Sequence, residues 1–150
     1  MKIRKSFYLS LCLGLYFIFS SIISFGQHAT VNINVSGIKS KKGQIVLSTF
    51  KNSESFAKEN PYKKIKFDKK DLINGSLELK CTLDVGVCGI VILDDENSNE
   101  DMDKNFLRMP KEGFGFSNYY MQSLKRVSFE EFKLNLNNGI NNVQIKVKYL

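Results

Sequence analysis

Oxygen-bearing side chains recur at every second position through Asp95, Asn97, Asn99, Asp101 and Asp103. That spacing follows the first, third, fifth, seventh and ninth places of a calcium loop, and calcium takes about 6–8 hard oxygen ligands in irregular geometry. Two places depart from the EF-hand pattern, with Glu100 where glycine is wanted and Phe106 where a bidentate glutamate is wanted. Glu112 is the carboxylate left to close the set by loop return. The expected cofactor is therefore calcium, held by Asp95, Asn97, Asn99, Asp101, Asp103 and Glu112. The competing reading is a solvated loop of Asx turns.

Other reactive groups are few. His28 is the one histidine, so neither a Ser-His-Asp nor a Cys-His arrangement can be assembled. Paired carboxylates occur within the loop, where mutual repulsion suits a cation at least as well as acid–base work. No enzyme is expected. Cys81 and Cys88 bracket a turn containing Gly86, and in an oxidising compartment the pair is expected to form a disulfide between neighbouring strands; two separately buried thiols are the alternative. Phe114, Phe116, Tyr119 and Tyr120 offer a ligand platform beside the loop, or a plug for one end of the fold, with Gly113 and Gly115 allowing sharp turns.

These residues need a frame, and the chain's first segment says where it is built. Residues 1–26 carry Lys2, Arg4 and Lys5, then an uncharged apolar run, then small residues up to Gly26. This is the order of a secretory signal peptide with cleavage before Gln27, although the run is also long enough for a retained anchor. Cys12 lacks the preceding small residue of a lipoprotein signal. Cleavage leaves 19 cations against 15 acids, a charge of +4 in place of +7. The expected setting is periplasmic or extracellular, with no membrane contact after cleavage, no nucleic acid, and a cell-envelope polymer or protein as the partner class.

Residues 27–150 read as one domain with a period of two. Alternation at 30–36 places Val31, Ile33 and Val35 on one face, and further strands are expected at 44–50, 62–67, 76–81, 88–93, 127–136 and 142–149. One helical turn, capped near Ser53, falls within 52–60 before Pro61. The run at 88–93 should be the most buried strand. Lys39, Lys41, Lys42, Lys63, Lys64, Lys66, Lys69 and Lys70 are expected on solvated turns and an edge strand, where lysines discourage edge pairing. About seven short strands with almost no helix predict an all-β, antiparallel β-sandwich. The function expected is that of a binding or structural module; the alternative is an enzyme or enzyme accessory acting on cell-envelope material.

The run Asp95-Glu96-Asn97-Ser98-Asn99, then Asp103-Lys104-Asn105-Phe106, Pro110-Lys111-Glu112-Gly113-Phe114-Gly115-Phe116-Ser117-Asn118 and Ser128-Phe129-Glu130-Glu131 resembles the bacterial domain of unknown function 2141 family. Val35-Ser36-Gly37-Ile38 and Lys42-Gly43-Gln44-Ile45 fit its opening hairpin. The resemblance implies a secreted, immunoglobulin-like or prealbumin-like sandwich and no activity. The family pattern usually has His where Asp94 stands and Gly-Lys where Glu100-Asp101 stand. It often has Gly-Pro-Pro where this chain has Lys125-Arg126-Val127. The missing His removes a soft-metal ligand, and the extra Asp favours a hard cation.

Overall fold

Strict alternation drives one face of each strand to water and the other to a shared interior, and the computed structural model, which describes residues 28–122 and 125–150, has two facing sheets built this way. The leader expected at 1–26, its exit at Gly26 and Gln27, and Cys12 lie outside the described residues. Among the described residues no helix is long and apolar enough to cross a membrane.

The strands are β1 (His28–Ser36), β2 (Gln44–Phe50), β3 (Lys63–Asp68), β4 (Ser76–Asp84), β5 (Gly86–Asp95), β6 (Gly113–Phe116), β7 (Lys133–Leu136) and β8 (Gly139–Lys146). One sheet runs β4-β1-β8. The other runs β3-β2-β5-β6, with β7 also on β5. Because β6 pairs with residues 91–94 and β7 with 86–89, the two short strands follow each other along one side of β5 while β2 takes the other side. All pairs are antiparallel except β1 with β8, so the first and last strands run side by side in the same direction.

Between the sheets lie Val31, Ile33 and Val35 of β1, Leu77, Leu79 and Leu83 of β4, Ile45 and Leu47 of β2, Ile90 and Ile92 of β5, and Val143 and Ile145 of β8. Each such side chain contributes about 1.5–3 kcal/mol on burial, which makes this layer the main source of stability. The five-stranded sheet is apolar on its outer face as well. Phe50, Phe114 and Phe116 there form a second cluster with Met121, Val127, Phe129 and Phe132.

Three expectations about elements are corrected. Residues 127–136 are not one strand: α2 (Phe129–Phe132) comes first and β7 follows. The backbone N–H and hydroxyl of Ser128 both donate to the Glu131 carboxylate (2.6 and 3.0 Å), closing a helical turn that buries Phe129 and Phe132. The earlier helical turn, α1 (Ser53–Ala57), is capped by Asn52 rather than Ser53, its Oδ1 accepting from Ser55 N at 2.9 Å. Gly113 and Gly115 are strand residues, not turn residues. Their missing side chains let β6 lie against the last strand: a Cβ on Gly113 would stand 2.5 Å from the Tyr149 ring, and one on Gly115 2.7 Å from Ile145. Phe114 N and O then pair with Lys148 O and N (3.0 and 2.8 Å), which ties the two sheets together along one edge.

Candidate functional site

The acidic loop leaves the end of β5, where strand alternation sends Asp94 inward and Asp95 outward; both are fully buried. Asp95 accepts from Gln44 Nε2 (2.7 Å), Asn99 N (3.1 Å) and Glu100 N (3.0 Å). Glu112 accepts from Glu96 N (3.1 Å) and Asp103 N (3.3 Å). Asn97 and Asn99 turn the chain locally by accepting from the N–H groups of Asn99 and Asp101 at 3.0 and 2.9 Å. Their amide nitrogens donate to Asp103 at 2.7 and 3.4 Å. Asp95, Asn97, Asn99, Asp103 and Glu112 are thus linked through the loop's own hydrogen bonds. Asp101 does not join them. Its carboxylate faces solvent and pairs with Lys64 at 3.7 Å. Among the described residues no group of three or more His, Cys, Asp or Glu side chains is arranged to hold a metal ion. What the oxygens hold instead is the loop's own amide hydrogens. Burial raises the Glu112 carboxyl above its ordinary value, and the Asp95 and Asp103 charges add to that, while its two backbone donors oppose it.

Inward, Asp94 accepts from Lys69 Nζ on one oxygen and from the Tyr149 hydroxyl on the other. Lys69 is 1% exposed, so its place among the solvated lysines is corrected: it is a buried countercharge. The Tyr149 oxygen also accepts from Lys39 N at 3.0 Å, and the ring carries the Lys39 ammonium 3.9 Å from its centroid. Burial first, and Asp94 second, push the Tyr149 hydroxyl well above its ordinary pKa. Asp94, read in the sequence only as a spare hard-cation ligand, thus ties the loop's root to the C-terminal segment and to the residues before β4.

The cysteines are corrected too. Both are free, Cys81 on β4 of one sheet and Cys88 on β5 of the other. Both side chains pack against the interior between the sheets, Cys88 within the core and Cys81 at its margin. The turn between them crosses from sheet to sheet instead of joining neighbours. Burial raises both thiols, Cys88 to about 11.

A cleft that the sequence did not announce lies on the outer face of the five-stranded sheet, with a volume of about 480 Å³. Register places Val46 opposite Leu93, Leu93 opposite Phe114 and Val91 opposite Phe116, so these side chains form a continuous apolar floor. Met102, Met109 and Pro110 from the acidic loop wall one side; Met121 and Val127 wall the other. The rim is charged. Lys64 donates to Glu100 O (3.2 Å) and Lys104 to Glu59 (3.1 Å), while Arg108 and Arg126 make no ion pair among the described residues. Glu59, Glu100 and Arg108 on this rim adopt left-handed backbone, φ 52°, 68° and 60°, a conformation that strains non-glycine residues and clusters at ligand clamps.

The four aromatic residues divide. Phe114 and Phe116 line the cleft, with ring centroids 5.8 Å apart. Tyr119 packs against Phe116 and donates its hydroxyl to Glu131 at 3.1 Å, and Tyr120 lies away from the cleft beneath Lys146 and Lys148. Ser117, noted in the sequence only as part of the family run, is buried; its hydroxyl accepts from Ile90 N (3.0 Å) and donates to Phe132 O (2.7 Å), pinning α2 to β5 beside the cleft. His28 pairs with Asp84 at 3.8 Å, at the start of β1.

A family model described as an uncharacterized protein conserved in bacteria (DUF2141) matches residues 33–144. The chain belongs to this family. Of the residues lining the cleft of this DUF2141 protein, Leu150 alone falls outside the matched span. No curated protein and no solved structure matches the chain.

Proposed function

We propose that this DUF2141 protein is an exported binding module whose cleft takes a small amphipathic ligand, the apolar body on the sheet and an anionic end at Arg108 and Arg126. One observation carries the reading. An outward sheet face would ordinarily be polar, yet Val46, Phe50, Val91, Leu93, Phe114 and Phe116 form an apolar cleft floor here, partly covered by Met121 and Val127. Its volume of about 480 Å³ falls within the roughly 300–1,000 Å³ common for ligand sites, where a few polar groups at the edge fix orientation. The order of residues 1–26 supports export. Binding rather than catalysis is favoured because the floor is hydrocarbon and the charged groups stand at the rim.

The test is a titration with anilinonaphthalene sulfonate, an apolar anion, and with alkyl carboxylates that displace it. Each methylene entering the cleft is worth about 0.8 kcal/mol, so two more carbons should tighten binding about 15-fold. Val91→Arg, which puts a cation on the floor, should weaken binding at least about tenfold by desolvation. Affinity that ignores both chain length and Val91→Arg, with the unfolding transition still cooperative, rejects the cleft as the site.

A further inference from the structure

Residues 104–111 read Lys-Asn-Phe-Leu-Arg-Met-Pro-Lys, three cations and no acid inside an otherwise acidic loop. The excursion is built tightly. Its stem is held by a Lys104–Pro110 bridge and by Lys111 N donating to Asp103 O at 2.8 Å. Asn105 organises the tip: its Oδ1 accepts from Leu107 N and Met109 N, both at 2.9 Å, and its backbone exchanges bonds with Met109 and Arg108 at 2.8 Å. At the extremity Phe106 is 92% and Leu107 67% exposed. Single exposed apolar residues need no explanation, but two adjacent ones held out on an ordered, strained turn do.

The charges around them are sorted. Glu100 and Asp101 pair with Lys66 and Lys64 on β3, Asp103 accepts from Asn97 and Asn99, and Glu59 pairs with Lys104. Arg108 follows the apolar pair in the chain, and Lys104 and Lys111 stand at the two ends of the excursion. We propose that this tip docks on an anionic lipid surface, with Phe106 and Leu107 entering the headgroup region and Lys104, Arg108 and Lys111 meeting the phosphates. A turn that exposes two adjacent apolar side chains, with cations before and after them in the chain, suits a bilayer interface, which closes around it, better than a flat protein face. Lys104 and Arg108 also stand on the cleft's rim, so the docked tip brings the cleft mouth to the lipid. The inference rests on the tip and holds whether or not the cleft takes a ligand.

The experiment is co-sedimentation of the protein with phosphatidylcholine vesicles, with and without about one-third phosphatidylglycerol, where each cation at an anionic surface is worth a factor of about five. Anionic vesicles should bind at least about tenfold more tightly than neutral ones, and 1 M salt should remove most of that difference. Phe106→Ser with Leu107→Ser should lose at least about tenfold, and Arg108→Glu with Lys111→Glu should abolish the preference for anionic lipid. Phe106 and Leu107 do not line the cleft, so the paired serines should leave the titration with anilinonaphthalene sulfonate unchanged, which separates this result from the fate of the cleft reading. Failure to bind anionic vesicles, or binding that survives the paired serines, overturns the proposal. So does concentration-dependent self-association lost in the paired serines without vesicle binding, which would make the tip a contact between copies.

Discussion

Replacing Lys69 with Met keeps most of the side chain's volume and removes the buried cation that pairs with Asp94. Both side chains have no exposed area, so water cannot substitute for the ammonium. Removing one partner of a buried pair leaves an uncompensated charge and costs about 3–5 kcal/mol. The Tyr149 hydroxyl still donates to Asp94, which moderates the loss towards the lower figure. For a domain of this length that corresponds to a fall in melting temperature of about 10–20 °C. Urea unfolding followed by circular dichroism reads it directly. Asp94→Leu alone should destabilise similarly by orphaning the lysine, and the double variant should recover at least half of the summed loss, because a buried pair replaced by apolar groups is close to neutral. A Lys69→Met variant within about 1 kcal/mol of the parent, or additive single changes, would refute the claim that this pair anchors the root of the loop.

The thiols of Cys81 and Cys88 should both titrate in denaturant without reductant, and should react slowly in the folded protein at neutral pH, since burial holds Cys88 at about 11; one rapidly alkylated thiol would contradict that burial. Glu112 has a raised folded-state pKa, so its contribution to stability is fully present below the ordinary value of 4.5 and is lost as pH rises through the raised one. Compared with Glu112→Gln, the parent should therefore gain relative stability as pH falls through that window, and a constant difference between the two would remove the shift. Millimolar calcium should move the melting temperature by less than about 2 °C, because Asp95 and Glu112 already accept from loop amides; a rise of about 4–8 °C would show those oxygens exchanging amides for a cation.

Alternation made the two-sheet interior readable: Val31, Ile33 and Val35 face it, and β2 spans the residues expected. The lysine edge was readable for the same reason, with Lys64 and Lys66 on β3 at the border of its sheet. Long-range pairing was not. Gly113-Phe114-Gly115-Phe116 looks like a turn until the last strand needs the space its glycines leave, and Lys69 looks like surface until Asp94 arrives from a distant strand. The helical turn at Ser128 and Glu131 was missed because residues 127–136 were read as one strand. Spacing singled out Asp95, Asn97, Asn99 and Asp103, but not the loop amides and amide side chains that they bond. The cleft escaped notice because its floor is the second face of strands whose first face already accounted for their hydrophobicity, and its walls come from Met102, Met109, Pro110, Met121 and Val127, outside those strands.

Titration of decanoate into isotopically labelled protein, followed by amide and methyl chemical shifts, tests the central claim most directly. Saturable shifts concentrated on Val46, Val91, Leu93, Phe114 and Phe116, and absent in Val91→Arg, are the predicted result. Shifts confined to the polar outer face of the three-stranded sheet around Asn32, Asn34 and Asn142, or no saturable shift at all, would contradict it.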